Sequence, residues 1–225
     1  MSKVKVGIIG ATGYVGVELI RLLNAHPQVE LSAIGSNSFV DKSITEVYPS
    51  VGIGNDMKCM KNEDVIKNSD LIFTALPHGV SEEFVLQAVK EGKKVVDLGA
   101  DFRLKDEATF KEWYNVSFID KKLHEEAVYG LCEHYKDEIK NAKVIANPGC
   151  YVTSISLPLM PLLKEKLIKK EGIVADSKSG VTGAGRGLTL LSHYPEINEN
   201  MVPYKIGNHR HTPEIEQNLT DAAEE

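Results

Sequence analysis

The sequence predicts an α/β fold: a doubly wound parallel sheet over residues 1–148, then a second domain from residue 149 onward. Three observations carry this. Strand-like runs alternate with helix-like segments up to Ala146. The strand runs are solidly apolar, as strands covered on both faces are. The first strand passes through a glycine cluster straight into a helix, the opening of a βαβ unit.

The elements follow in order. Val4-Lys5-Val6-Gly7-Ile8-Ile9 is a β-branched run closed by Gly10-Ala11-Thr12-Gly13. Val15, Leu19, Leu22 and Leu23 recur at helical spacing, and His26-Pro27 stops that helix. Residues 29–34 form the second strand; the Ser-, Asn- and Gly-rich stretch 35–62 gives no assignment. Residues 70–76 are a third strand ended by Pro77, and Ser81 starts a helix with Glu82 and Glu83 in its first turn. Gly92 ends that helix, and residues 94–98 and 144–146 are further strands. After Asn147-Pro148-Gly149 a helix is expected with Val152, Ile155, Leu159 and Leu162 on one face and a kink at Pro158. A strand at 172–176 should lead into a glycine- and serine-rich loop. Thr212-Pro213-Glu214 starts a last helix, whose stripe Ile215, Leu219, Ala222 and Ala223 needs a surface to bury against.

Composition bounds the function. The 225 residues include 26 basic and 32 acidic side chains, a net charge of −6, with no dense basic run. That argues against nucleic acid or an anionic membrane as partner. Apolar stretches are strand-sized, too short to span a bilayer, and no signal peptide is visible. Cys59, Cys132 and Cys150 are odd in number with no CxxC spacing, so neither a disulfide framework nor a zinc site is expected. The expected compartment is the reducing cytoplasm, and no metal is expected.

Four groups of residues carry chemistry. Gly10-Ala11-Thr12-Gly13-Tyr14-Val15-Gly16 lies at a strand-to-helix turn, where a dinucleotide pyrophosphate would meet free N–H groups; a plain tight turn needs similar glycines. After the second strand the chain reads Gly35-Ser36-Asn37-Ser38, with no carboxylate to repel a 2′-phosphate, so NADP is favoured over NAD. Cys150 stands between a strand and a helix, where a thiolate is stabilised; a buried structural cysteine fits the same pattern. The loop from Ser179 to Gly187 puts four glycines around Arg186, which suggests close backbone approach to a ligand. His26, His78, His124, His134 and His193 read as solvent-facing or structural, with contact to NADP as an alternative for His78, which follows Leu76-Pro77 at a strand end.

Five blocks in order make a resemblance specific. Gly10-Ala11-Thr12-Gly13-Tyr14-Val15-Gly16, Asp101-Phe102-Arg103-Leu104, Asn147-Pro148-Gly149-Cys150-Tyr151, Ser179-Gly180-Val181-Thr182-Gly183-Ala184-Gly185-Arg186 and His209-Arg210-His211-Thr212-Pro213-Glu214 together resemble N-acetyl-γ-glutamyl-phosphate reductases, relatives of aspartate-semialdehyde dehydrogenase. The resemblance implies a Rossmann-type NADP-binding domain followed by an α+β catalytic and dimerisation domain. It also implies reduction of an acyl phosphate to a semialdehyde in arginine biosynthesis. On this reading Cys150 is the nucleophile, and Gly10 to Gly16, Ser36, Gly183 and Ala184 meet the cofactor. Arg103 and Arg186 meet the anionic substrate, with the Arg186 loop serving the nicotinamide as an alternative. The chain departs from the family at Tyr129-Gly130-Leu131-Cys132-Glu133, where relatives carry Pro-Glu, and it lacks the family's later part. The second domain is therefore expected to be incomplete, the last helix unpartnered, and the full-length form a homo-oligomer.

One residue must move protons for Cys150. If residues 205–211 run as a strand, His209 and His211 share a face, and His211 lies at its end, where ligands gather. Together with the family block, this selects His211 as acid/base. Two other readings stay open: a related reductase acting on aspartyl phosphate, and a dinucleotide-binding protein without turnover.

Overall fold

The computed structural model describes residues 2–49 and 56–224. Its first part is a parallel sheet of β1 (Val4–Ile9), β2 (Val29–Gly35), β3 (Leu71–Thr74), β4 (Lys94–Asp97), β5 (Val128–Tyr129) and β6 (Val144–Ala146). The spatial order is β2-β1-β3-β4-β6-β5. β1 pairs with β2 on one side and β3 on the other, with Val6 opposite Leu71 and Ile9 opposite Thr74. The chain therefore reverses direction across the sheet at β1. That reversal opens a crevice beyond the carboxyl end of β1, where the glycine cluster sits.

Strand periodicity sends adjacent side chains to opposite faces. Ile8 and Ile34 pack on one face with Ile20 of α1 (Tyr14–Asn24) and Ile44 of α2 (Ile44–Val47). Ile9 and Ala33 pack on the other with Val65 and Ile66 of α3 (Asn62–Lys67) and Val85 and Ala88 of α4 (Ser81–Lys90). The face of α1 differs from expectation. Leu19 and Leu23 pack inward, but Val15 and Leu22 are about half exposed, at 51% and 52%. The buried line of α1 runs through Gly16 and Ile20, and Val15 and Leu22 lie roughly 100–160° around the helix from it.

Three helices that the sequence did not mark, α5 (Glu107–Tyr114), α6 (Lys121–Glu126) and α7 (Lys136–Asn141), fill the crossover from β4 to β6. His124 of α6 is structural. Its ring stacks on Phe102 and Phe118, and its Nε2 lies 3.0 Å from Glu82 on α4.

Past β6, α8 (Cys150–Lys164) is a continuous helix through Pro158 and Pro161. α9 (Tyr194–Ile197) is a single turn, and α10 (Thr212–Glu224) packs along α8. The last helix is thus not unpartnered. Its Leu219, Ala222 and Ala223 join Met160 and Leu163 of α8 in a third apolar cluster, because α8 has an apolar face of its own. Two expected strands are absent. Among the described residues, 172–176 have no neighbouring strand to pair with, and Val174 is 90% exposed there. Residues 205–211 are turns: Lys205 has φ 47° and Gly207 φ 72°, left-handed values no strand contains.

Candidate active site

The glycine cluster is shaped by backbone contacts. Gly10 has φ 83°, and the N–H groups of Gly10 and Ala11 both donate to the Gly35 carbonyl at the end of β2. Any Cβ on Gly16 would lie 2.4 Å from the Gly10 carbonyl oxygen, so only glycine lets α1 sit this close to the loop. Gly13, the residue before α1, places no side chain over the helix N-terminus, and this leaves that end open to an anion. Ser36 is buried, and its hydroxyl lies 2.8 Å from the Thr12 hydroxyl. These features fit a dinucleotide.

The Thr12 carbonyl accepts hydrogen bonds from the Tyr48 hydroxyl at 2.9 Å and from Arg186 at 3.2 Å. The Arg186 guanidinium stacks 4.6 Å over Tyr48 and 5.5 Å from the Phe39 ring centre. The 3-10 turn Val181–Ala184, which holds Gly183 and Ala184, is exposed beside it in sequence. Arg186 therefore sits on the dinucleotide loop.

Cys150 is the first residue of α8 and is exposed, whereas Cys59 is buried, with burial pushing its thiol up. The residue before Cys150 is held from α10. Glu214, only 1% exposed, accepts the Gly149 N–H at 3.1 Å and the Tyr129 hydroxyl at 2.6 Å on Oε1. Its Oε2 pairs with Arg103 at 3.4 Å. Arg103 is itself 5% exposed and donates to the Leu98 carbonyl, while its Nε has no partner. Arg103 is thus engaged in a buried ion pair and keeps one donor free.

His211 reaches the same place. A Cβ on Gly149 would lie 2.5 Å from His211 Nε2, so the imidazole rests against the backbone next to Cys150. His211 Nδ1 is buried without a partner. Burial first, then the positive charge of Arg103 with His209, His78 and Arg210, holds His211 down to about 3. His209 differs. Its Nδ1 accepts the His211 N–H at 3.1 Å, and its Nε2 lies 3.2 Å from the Tyr204 hydroxyl. Both of its ring nitrogens are occupied in holding the turn.

Two neighbours have no assigned role in the sequence reading, which gave His78 at most a contact with the cofactor from its strand end. His78 is half-buried just beyond β3, held down to about 4 by burial and by Arg210 and Arg103. Asp101 fixes that corner by accepting the Gly79 N–H at 2.6 Å, the Ser81 N–H at 3.0 Å and the Ser81 hydroxyl at 2.8 Å. A carboxylate aimed at a helix start twenty residues earlier leaves no local signature in the sequence. Among the described residues no group of His, Cys, Asp or Glu is arranged to hold a metal ion, and no helix is long and apolar enough to cross a membrane.

Comparison with known proteins decides the family. Residues 5–142 match the semialdehyde dehydrogenase NAD binding domain, and residues 150–225 match the semialdehyde dehydrogenase dimerisation domain. The chain belongs to the semialdehyde dehydrogenase family. Within this family the chain is 53% identical over 222 residues to the N-acetyl-gamma-glutamyl-phosphate reductase of Clostridium beijerinckii, covering 99% of this chain and 64% of that protein. It is 51% identical over 218 residues to the protein of that name from Pelotomaculum thermopropionicum, covering 96% and 63%. The chain thus spans somewhat under two thirds of the length of the relatives it matches. Its fold is similar to aspartate semialdehyde dehydrogenase with NADP from Candida albicans, at TM-score 0.52 and 20% identity, covering 73% of this chain and 48% of that one. It is also similar to the Vibrio cholerae enzyme II complexed with ASA, at TM-score 0.53 and 18% identity, covering 72% and 43%.

Proposed function

We propose that this semialdehyde dehydrogenase chain carries the NADPH-dependent reduction of N-acetyl-γ-glutamyl phosphate to N-acetylglutamate semialdehyde and phosphate. The observation that carries the proposal is the convergence at Gly149: Cys150 follows it at the start of α8, and the His211 imidazole rests against it. The names of the relatives supply the substrate.

Gly10 to Gly16 and Ser36 would hold the dinucleotide, with Gly183 and Ala184 closing over it from the later loop. The lack of a carboxylate at Ser36-Asn37 supports NADP over NAD. When bound, the reduced nicotinamide supplies the hydride. Cys150 gives its proton to His211 and attacks the acyl carbon; the carbon–oxygen bond to phosphate breaks, and inorganic phosphate leaves a thioester. His211 protonates the thioester oxygen as that carbon is reduced. It takes a proton back as the resulting thiohemiacetal expels the Cys150 thiolate and releases the aldehyde. Burial is the larger cause of the neutral His211; a dianionic phosphate close to Arg103 would offset the positive charge that adds to it, moving the imidazole upward toward the range where it can both take and give a proton. Arg103 Nε and the Arg186 loop are the substrate-side cations of this reading.

The protein is proposed to act as a homo-oligomer in a reducing cytoplasm, consistent with its dimerisation-domain match and three free thiols. The test is phosphate-dependent reduction of NADP, with N-acetylglutamate semialdehyde and aspartate semialdehyde compared as substrates. Preference for the acetylated substrate is expected. Preference for aspartate semialdehyde would overturn the assignment of substrate, and binding without turnover would overturn the assignment of activity.

A further inference from the structure

His211 lies in a run of turns, yet its ring must stay beside Cys150 for the reading above to hold. We propose that Tyr114 is the positioning residue that fixes it. From the end of α5, Tyr114 clamps the turn carrying His211 onto the dinucleotide-binding part of the chain. This proposal rests on the proposed role of His211.

The geometry is direct. The Tyr114 hydroxyl donates to the Arg210 carbonyl at 3.0 Å, one residue before His211. This bond joins the first part of the chain to the turns at residues 204–211; the neighbouring links, Arg103 to Glu214 and Lys105 to Gln217 and Asp221, meet α10 further on. The ring itself has little freedom. It stacks on fully buried Phe110 one turn earlier, with centroids 5.1 Å apart. Its other contacts are the His78 ring, edge-on at 5.3 Å, and the Arg210 guanidinium at 5.9 Å. The helix beneath it is closed at both ends. Asp106 caps the start through the Thr109 N–H, and Asn115, with φ 58°, ends it directly after Tyr114. A tyrosine on so fixed a base can hold an irregular turn through one hydroxyl, because its ring packing does not depend on that bond.

The groups facing His211 are Arg103, His78, His209 and Arg210, with the Tyr151 ring at 6.1 Å and Glu214 three residues on. Releasing the turn would let water reach the imidazole and move it away from Arg103. Both changes favour its protonated form.

Tyr114→Phe keeps the ring and removes only the hydroxyl. In the full 225-residue chain, the His211 titration, followed by nitrogen-15 spectra of the histidine rings, should move upward in this variant. His26, remote from the cluster, should not move. With N-acetylglutamate semialdehyde, kcat should fall roughly five- to tenfold, the loss one neutral hydrogen bond brings, while KM and NADPH affinity stay within about twofold. Tyr114→Leu, which also removes the packing, should move His211 at least as far. An unchanged His211 titration together with unchanged kcat in Tyr114→Phe would overturn the proposal and leave the reductase reading intact. A parent chain inactive on both semialdehydes, whose His211 titration still moves in Tyr114→Phe, would overturn the reductase reading and leave the clamp standing.

Discussion

Glu214 accepts the backbone N–H of Gly149 at 3.1 Å, so the helix that follows His211 is tied to the residue that precedes Cys150. Among the described residues, the same carboxylate is the ion-pair partner of the buried Arg103 guanidinium. Removing it strands a guanidinium in the interior. Glu214→Ala should therefore cost about 3–5 kcal/mol of stability, read as a lowered urea midpoint with an unchanged slope. Glu214→Gln keeps an acceptor for Gly149 and should cost less. A loss below about 1 kcal/mol in the alanine variant would mean that Arg103 finds water or another acceptor.

Cys150 should alkylate faster than the other thiols. It is exposed at a helix N-terminus, while Cys59 is buried and the exposed Cys132 thiol points at the Gly130 carbonyl at 3.5 Å. Limited iodoacetamide treatment followed by mass mapping reads the order. Cys150→Ser should abolish turnover and spare NADPH binding. A faster Cys132 would remove the basis for the nucleophile.

His211→Asn should lose about 10²–10⁴-fold in rate, the usual worth of a positioned acid/base, with NADPH affinity unchanged. His209→Asn should lose much less, because both His209 nitrogens are engaged in the turn. Gly149→Ala should resemble His211→Asn in direction, since the added Cβ would occupy the place of the imidazole. Steady-state kinetics with N-acetylglutamate semialdehyde decide the order, and a larger loss in His209→Asn would reverse the assignment.

Ser36 is buried against Thr12 at the mouth of the dinucleotide loop. NADPH should bind more tightly than NADH, and Ser36→Asp should reverse that order by setting a carboxylate against the 2′-phosphate. Fluorescence titration with both cofactors measures it. Equal affinities in the parent chain would count against NADP.

Asp97, fully buried at the end of β4, is pushed up to about 6 by burial, against the hydrogen bond from Thr74. The folded state therefore holds a proton that the unfolded chain has already lost between about pH 4 and 6. Stability should fall as pH rises through that window, and above it the buried carboxylate costs on the order of 3 kcal/mol. Asp97→Asn should gain relative to the parent as pH rises from 4 to 7 in urea titrations. A difference that does not change with pH would show that Asp97 stays ionised throughout.

Much of this protein was legible along the chain. The parallel α/β sheet, the glycine turn after β1, the helix starting at Cys150 and the helix at Thr212 all follow from local patterns. Apolar period, glycine and proline act within a few residues of the backbone they shape. The family blocks added Cys150, His211 and Arg103 as candidates. What the sequence left undecided needed distance in space. A stripe on α10 finds α8 only once both helices are folded. A run such as 172–176 becomes a strand only where a neighbour offers a ladder, and here none does. The sequence could not say that Arg103 spends its charge on Glu214, 111 residues away, or that Arg186 lies on Thr12, 174 residues away. Nor could it show that both His209 ring nitrogens are engaged in the turn while the His211 ring lies against Gly149. Side-chain partners of this kind are set by tertiary packing, because a buried polar group takes whichever partner the fold brings within reach, whatever the separation in sequence.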